Sequence, residues 1–193
     1  DKKYVNIMYD RVKKIAEAAA MMANVDYEMQ LISGIYEIIP NRFGASIIQD
    51  NFKILGEIKY TDSEVNYANT ILRETGKELK GLDGKIKPIK PTLPAQGGST
   101  DVGDVSQVVP VVRLSTTTAA KDGPWHSWAV VACTGMSIGH KGMIYATKAL
   151  AMTMLDLYKN PKLVDGVKKE FLERKGDKVY VPQIPPGPPR LVD

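Results

Sequence analysis

The chain of 193 residues contains two histidines, one before an apolar segment and one near the start of a predicted helix. His126 lies between the turn sequence Asp-Gly-Pro at 122–124 and an apolar segment. A histidine placed there can be a metal ligand, a general base or a packed structural residue, and the residues alone leave these alternatives open. His140 follows Ser137 near the start of a predicted helix, where a capping or core role is the default interpretation.

A polar loop with several glycines, residues 97–106, carries further candidates, namely Ser99, Asp101 and Asp104. Carboxylates on such a loop can bind a metal or orient a histidine, and they can equally cap turns. The sequence contains no phosphate-binding GxxxxGK[ST] motif, no CxxC and no HExxH. One histidine and one or two aspartates are too few ligands for a closed metal site. No hydrolase can therefore be derived from these residues by themselves.

The hydrophobic pattern predicts the elements that position these residues. Residues 4–22 have apolar side chains at three-to-four spacing, which predicts an amphipathic helix. Residues 25–39 alternate between apolar and polar, which predicts a half-buried strand. One helix and one strand cannot bury each other's apolar surface. We therefore expect residues 1–39 to be the end of a small α+β domain, followed by a second domain at 40–193.

The second predicted domain mixes helices with a strand. Helices are predicted to begin after Asn41 and after Thr61 or Asp62, because these residues are good caps and Glu64 follows Thr61 at capping-box spacing. Residues 108–118 are rich in β-branched residues and predict a strand. A long Ala-, Met- and Leu-rich helix from Ser137 to about residue 158 is expected to pack on a sheet, and a last helix should run from Pro161 to about 175. The residues by themselves therefore predict a mixture of helices and strands.

Composition excludes several classes of protein. The chain is 44% hydrophobic and 25% charged, which is typical of a globular protein and disfavours disorder. No apolar run reaches the roughly 18–20 residues of a membrane span. Its 26 basic residues are offset by 22 acidic ones without a cluster, which argues against nucleic-acid binding. Cys133 is the one cysteine and cannot form an internal disulfide, which favours a reducing compartment, the cytoplasm.

Three motifs in fixed order resemble those of a known family. They are GGSTDVGDVSQVVPVV at 97–112, PWHSWAVVACTGMSIGHKGM at 124–143 and the long helix that follows. This order is similar to the C-terminal part of the aminoacylase–carboxypeptidase G superfamily of metal-dependent amidohydrolases, and most similar to its aminobenzoyl-glutamate utilisation subfamily. The resemblance covers most of the chain.

The resemblance implies a fold with two domains. Residues 1–39 would be the last helix and strand of an inserted, ferredoxin-like lid or dimerisation domain. Residues 40–193 would be the C-terminal part of a zinc-exopeptidase-like α/β catalytic domain. The N-terminal half of the same enzyme is then an expected partner of this chain. The enzyme is also expected to form a homodimer or a heterodimer.

The resemblance also implies hydrolysis of the amide in an acyl or aroyl amino acid such as p-aminobenzoyl-glutamate. Two divalent metal ions, zinc or manganese, are the implied cofactors, and a glutamate upstream of this chain is the implied general base. His126 matches a metal ligand of the family, and Asp101 matches the acidic position of its glycine-rich loop. Thr100 stands where many relatives carry a glutamate, so that residue's role does not carry over.

Supporting roles are expected for other residues of the motifs. Ser99, Asp104 and His140 are expected to line the pocket or to support the metal site, whereas Asn41 and Trp128 are expected to contact substrate. An alternative hypothesis is a non-catalytic binding or assembly module derived from the same fold. The two hypotheses differ in whether His126 matters for metal content and activity.

Overall fold

The computed structural model describes residues 2–90, 98–184 and 186–188, and these ranges contain seven α-helices. The chain divides into two compact units. Unit 1 contains the described residues of 1–40, 94–111 and 171–193, and unit 2 contains those of 41–93 and 112–170. The helices are α1 (Lys2–Ala23), α2 (Arg42–Leu55), α3 (Asp62–Glu74), α4 (Val102–Val108), α5 (Trp128–Thr134), α6 (Ser137–Lys159) and α7 (Pro161–Lys175).

Local capping determines where α2 and α3 begin. The Asn41 Oδ1 atom accepts a hydrogen bond of 2.7 Å from the Gly44 backbone N–H. Thr61 and Glu64 form a complete capping box, in which each side chain accepts from the other residue's backbone N–H. Gly56 ends α2 with a φ of 75°, a left-handed value that glycine adopts without strain. The predicted starts of both helices are confirmed.

The two C-terminal helices are also as predicted. The helix predicted from Ser137 to about residue 158 is α6, and the helix predicted after Asn160 is α7. Proline at the first position of α7 costs no hydrogen bond, because the first turn of a helix has free N–H groups. The short helix α5, directly after His126, is not predicted by the sequence, because its apolar run is too short to show a helical period.

The predicted α/β fold is wrong for the residues that the structure describes, because none of them lies in a β-strand. A strand needs a ladder of backbone hydrogen bonds to a neighbouring strand. In unit 1, the predicted strand at 25–39 instead bonds to side chains of α4. The Tyr36 N–H donates to Asp104 Oδ2 (3.2 Å), and the Ile39 N–H donates to Ser106 Oγ (2.9 Å).

The predicted loop at 97–106 is also corrected, since α4 begins at Val102. Gly103 packs directly against residue 36, and a Cβ atom at this position would overlap the Tyr36 carbonyl oxygen. Residue 97, like the other residues of 91–97, lies outside the described part of the chain. The glycine at 103 therefore serves close helix packing in unit 1.

The predicted strand at 108–118 is not formed either, because Val108 is the last residue of α4 and residues 109–118 are irregular. Residues 112–118 belong to unit 2. These residues bond singly to several elements: Thr116 Oγ1 donates to the Gly142 carbonyl (3.2 Å), and the Thr117 carbonyl accepts from Tyr60 Oη (3.3 Å). The Thr117 carbonyl and the Thr118 carbonyl, which accepts from Thr134 Oγ1 (3.5 Å), thus bond to side chains and not to a neighbouring strand. The expected sheet beneath α6 is replaced by helix α2, which packs against α6.

The core of unit 2 is formed by α3, α5 and α6. Its buried members are Ala68, Ile71, Leu72, Ala120, Ala129, Cys133 and Ile138. Burial of these side chains is the main force that holds the three helices together. The division of the chain into domains 1–39 and 40–193 stays a prediction.

Candidate functional site

His126 lies at the tip of a turn immediately before α5, and it is exposed. Its backbone φ is 55°, a left-handed value that few residues other than glycine adopt. The turn is held by Ser127, whose Oγ donates to the Pro124 carbonyl (2.7 Å) and accepts from the Ala129 N–H (3.3 Å). Histidine adopts such a conformation more readily than most residues other than glycine. The imidazole is accessible for binding.

The residues around His126 do not form a complete metal site. Nowhere in the described ranges do three or more His, Cys, Asp or Glu side chains come together in a way that could hold a metal ion. A zinc or manganese site needs three or more protein ligands in most cases. Within this chain, His126 can therefore supply one ligand, and the described residues by themselves do not fit a whole metal site.

The candidates of the glycine-rich loop lie in unit 1. Ser99 and Asp101 are exposed, and Asp101 precedes α4 without a side-chain capping bond. Asp104 is half-buried and accepts hydrogen bonds from the Tyr36 N–H (3.2 Å) and from Tyr180 Oη (3.0 Å). Asp104 therefore connects two segments of unit 1, whereas Ser99 and Asp101 remain accessible.

The two expected substrate contacts differ in their surroundings. Asn41 is buried, and its Nδ2 donates to the Val167 carbonyl (2.7 Å) while its Oδ1 caps α2. Trp128 begins α5 and is 55% exposed. Trp125 is 71% exposed, so neither indole is packed in the core. The accessible indoles lie on both sides of His126 in the sequence.

Glu64 is a buried carboxylate of unit 2 that sequence patterns identified only as a helix cap. It is 8% exposed, and its two oxygens accept from Ser137 Oγ and Lys141 Nζ, each at 2.6 Å. Burial acts to raise the pKa of Glu64, but the hydrogen bonds from Lys141, Ser137 and the Thr61 backbone outweigh it and lower the pKa to about 2. Glu64 is therefore a carboxylate at neutral pH.

A cleft of about 470 Å³ lies beside this carboxylate, along one face of α6. His140, Lys141 and Tyr145 are among the residues that line it. Nearby, burial and the Glu64 charge raise the pKa of Tyr60 to about 12, so that Tyr60 stays a neutral phenol. Of the predicted site residues, His140 lines this cleft.

Comparison with known proteins gives two related hydrolases. Over 94% of its length the chain is 28% identical to a subunit of the p-aminobenzoyl-glutamate hydrolase of Escherichia coli (strain K12). Over 81% of its length it is 29% identical to Xaa-Arg dipeptidase of Mus musculus. The predicted family resemblance is confirmed. These amidohydrolase relatives are longer proteins, of which the chain spans 43% and 30%.

Other comparisons add no further relative. No protein-family model matches the chain, and no solved structure matches it significantly. Among the described residues, none of the helices combines the length and the apolar character needed to cross a bilayer.

Proposed function

We propose that the protein containing this chain is a metal-dependent amidohydrolase, and that the chain is its C-terminal part. Its substrates would be acyl or aroyl amino acids such as p-aminobenzoyl-glutamate, cleaved at the amide. The observation that carries the proposal is the similarity, along 94% of the chain, to part of a p-aminobenzoyl-glutamate hydrolase. An exposed histidine at the tip of a turn is consistent with it.

In this proposal His126 would bind one of two divalent ions, zinc or manganese, through its accessible imidazole. When bound, such ions would supply the activation of water and the polarisation of the amide carbonyl. Ser127 fixes the turn and so limits where the imidazole can lie. Trp128, at the start of α5, offers an accessible apolar face for an aroyl group. The remaining ligands and the general base would come from the N-terminal half of the enzyme.

Assembly and location complete the proposal. One relative is named as a subunit of a hydrolase, which supports an assembly with a partner chain, either identical or different. Cys133 is a buried free thiol, as expected in a reducing compartment. We therefore place the protein in the cytoplasm.

The test is the variant His126→Asn in the whole enzyme. Asparagine tolerates a left-handed backbone better than most residues, so the turn is retained while the imidazole is lost. We expect hydrolysis of p-aminobenzoyl-glutamate to fall by about 100-fold or more, together with a loss of bound metal measured by elemental analysis. Asp122→Asn is the matched control, since Asp122 also has a left-handed φ, of 59°, but lies outside the proposed site.

Two results would contradict the proposal. Full metal content and full activity in His126→Asn would show that His126 is not a ligand, and would favour the alternative of a non-catalytic binding or assembly module. An equal loss in Asp122→Asn would show that the effect is not specific to the imidazole of His126.

A further inference from the structure

The cleft beside α6 is a second potential binding site, and His126 is not among the residues that line it. Its volume of about 470 Å³ lies within the range of small-molecule pockets, roughly 300–1,000 Å³. It lies entirely within unit 2. The size of the cleft fits a small organic molecule.

One face of α6 provides most of the cleft. His140, Ile144 and Lys148 are spaced four residues apart, and this spacing places side chains in one row along a helix. Ser137, Lys141 and Tyr145 form the neighbouring row. The helical period therefore brings an imidazole, an ammonium group and an apolar side chain to the same opening.

The opposite wall is tied to α6 by hydrogen bonds. Tyr145 Oη donates to the Gly56 carbonyl (2.7 Å), just after α2 ends. Lys141 Nζ donates to the Lys59 carbonyl (3.0 Å). These bonds hold the segment after α2 in place, so the cleft is a formed feature before any ligand arrives.

The charge of the cleft is positive. Its lining includes three lysines and no acidic residue. The Lys141 charge is balanced by Glu64 at 2.6 Å, and Lys59 contacts Glu57 at 3.3 Å on the exposed surface. Lys148 forms no ion pair with any residue that the structure describes. Its ammonium group is available to an incoming anion.

The rest of the lining is apolar. Leu55 and Ile58 form part of the wall opposite α6, and Ile144 is 49% exposed on the helix itself. An anion without an apolar body would leave these side chains in contact with water. The lining therefore favours an organic anion over an inorganic one.

We propose that this cleft binds a small organic carboxylate. Lys148 would bind the carboxylate by a charge-assisted hydrogen bond. The apolar part of the ligand would pack against Ile144 and the opposite wall. This site is separate from the proposed role of His126 and does not depend on it.

Calorimetric titration of the 193-residue chain tests the proposal with three probes. Benzoate is the carboxylate with an apolar body, benzamide is its neutral analogue, and inorganic phosphate is an anion without an apolar body. We expect benzoate to bind at least about tenfold more tightly than either of the others, because only benzoate satisfies both parts of the cleft.

A pair of variants locates the site. Lys148→Gln removes the unpaired charge and should weaken benzoate binding by about tenfold. Lys168→Gln removes the charge of an exposed lysine in α7 outside the cleft and should leave benzoate binding unchanged. Both variants should keep the helical circular dichroism of the parent chain. Amide shifts in an NMR titration should concentrate at residues 140–148.

The proposal would be overturned by equal affinity for benzoate and benzamide, by a lack of benzoate binding, or by equal effects of the two lysine variants. Phosphate binding as tight as benzoate binding would show that charge alone is recognised, and would also overturn it. His126→Asn should bind benzoate like the parent chain. A failure of this inference is thereby distinguished from a failure of the proposed hydrolase function.

Discussion

Glu64 shows how one residue combines a local and a long-range role. Its spacing from Thr61 predicts the capping box that begins α3, and that prediction is confirmed. The bonds from Ser137 and Lys141 come from 73 and 77 residues away in the sequence. No local pattern can reveal such partners, because side chains so far apart meet only through the packing of α3 and α6. The hydrogen bonds that lower the pKa of Glu64 therefore could not be predicted from the sequence.

The effect of Glu64 on stability should depend on pH. Its pKa falls from 4.5 to about 2 on folding, so the carboxylate stabilises the fold above about pH 4.5 and loses this contribution as the pH falls toward 2. We expect Glu64→Gln to lower the free energy of unfolding by about 2 kcal/mol at pH 7, measured with urea. The difference from the parent chain should shrink between about pH 4.5 and pH 2.

Glu57→Gln is the control for that experiment. Glu57 is partly exposed and pairs with Lys59 at 3.3 Å, and such surface pairs contribute little to stability. A difference between Glu64→Gln and the parent chain that stayed constant from about pH 7 to about pH 2.5 would contradict the assigned ionisation of Glu64.

The start of helix α2 depends on the side chain of its N-cap residue, Asn41. Asn41 was predicted as a cap from its position after Pro40, with a substrate contact as the role implied by the resemblance. The structure gives its amide two partners, one within α2 and one at residue 167 of α7. A buried amide with both partners positions α2 against α7. Asn41 therefore has a structural role in placing α2, whether or not it also contacts substrate.

We expect Asn41→Ala to destabilise the chain by about 2 kcal/mol, since a helix cap is lost and a buried carbonyl is left without its donor. Chemical denaturation of the variant gives this number. Asn66→Ala is the matched control, because Asn66 is exposed in the middle of α3 and should change stability by less than about 0.5 kcal/mol. Equal stabilities of the two variants would contradict the capping role of Asn41.

At the scale of the whole molecule, the core of unit 2 shows how completely folding buries individual side chains. Leu72 and Cys133 are fully buried there, at 0% exposure each. Burial also raises the pKa of the Cys133 thiol, which makes the reactive thiolate scarce. The reactivity of this single cysteine should therefore report on the opening of unit 2.

Leu72→Ala should reduce stability by about 3 kcal/mol, because it leaves a cavity in the core. If Cys133 reacts through opening of the unit, the rate of thiol modification by an aromatic disulfide should then rise by about 100-fold. Leu155→Ala, at a side chain that is 54% exposed, should leave that rate close to the parent value. Modification of the parent chain at the rate of its unfolded form would contradict the burial of Cys133.

The sequence by itself determined the helices whose ends carry local signals, as well as the family resemblance. Asn41, Thr61 and Pro161 mark starts of helices through bonds or dihedral angles within one turn, so these starts are readable from neighbouring residues. The order of the three motifs predicted the resemblance to the amidohydrolase family, which the similarity to two hydrolases confirms.

Tertiary structure alone decided whether residues 25–39 and 112–118 pair as strands and what surrounds each candidate residue. A strand exists only where a neighbouring strand supplies its hydrogen bonds, and alternation of apolar residues cannot show which neighbour is there. The packing of α2 on α6 formed the cleft with His140 and Lys148. Contacts between residues far apart in sequence depend on the burial of whole faces, which no short motif encodes.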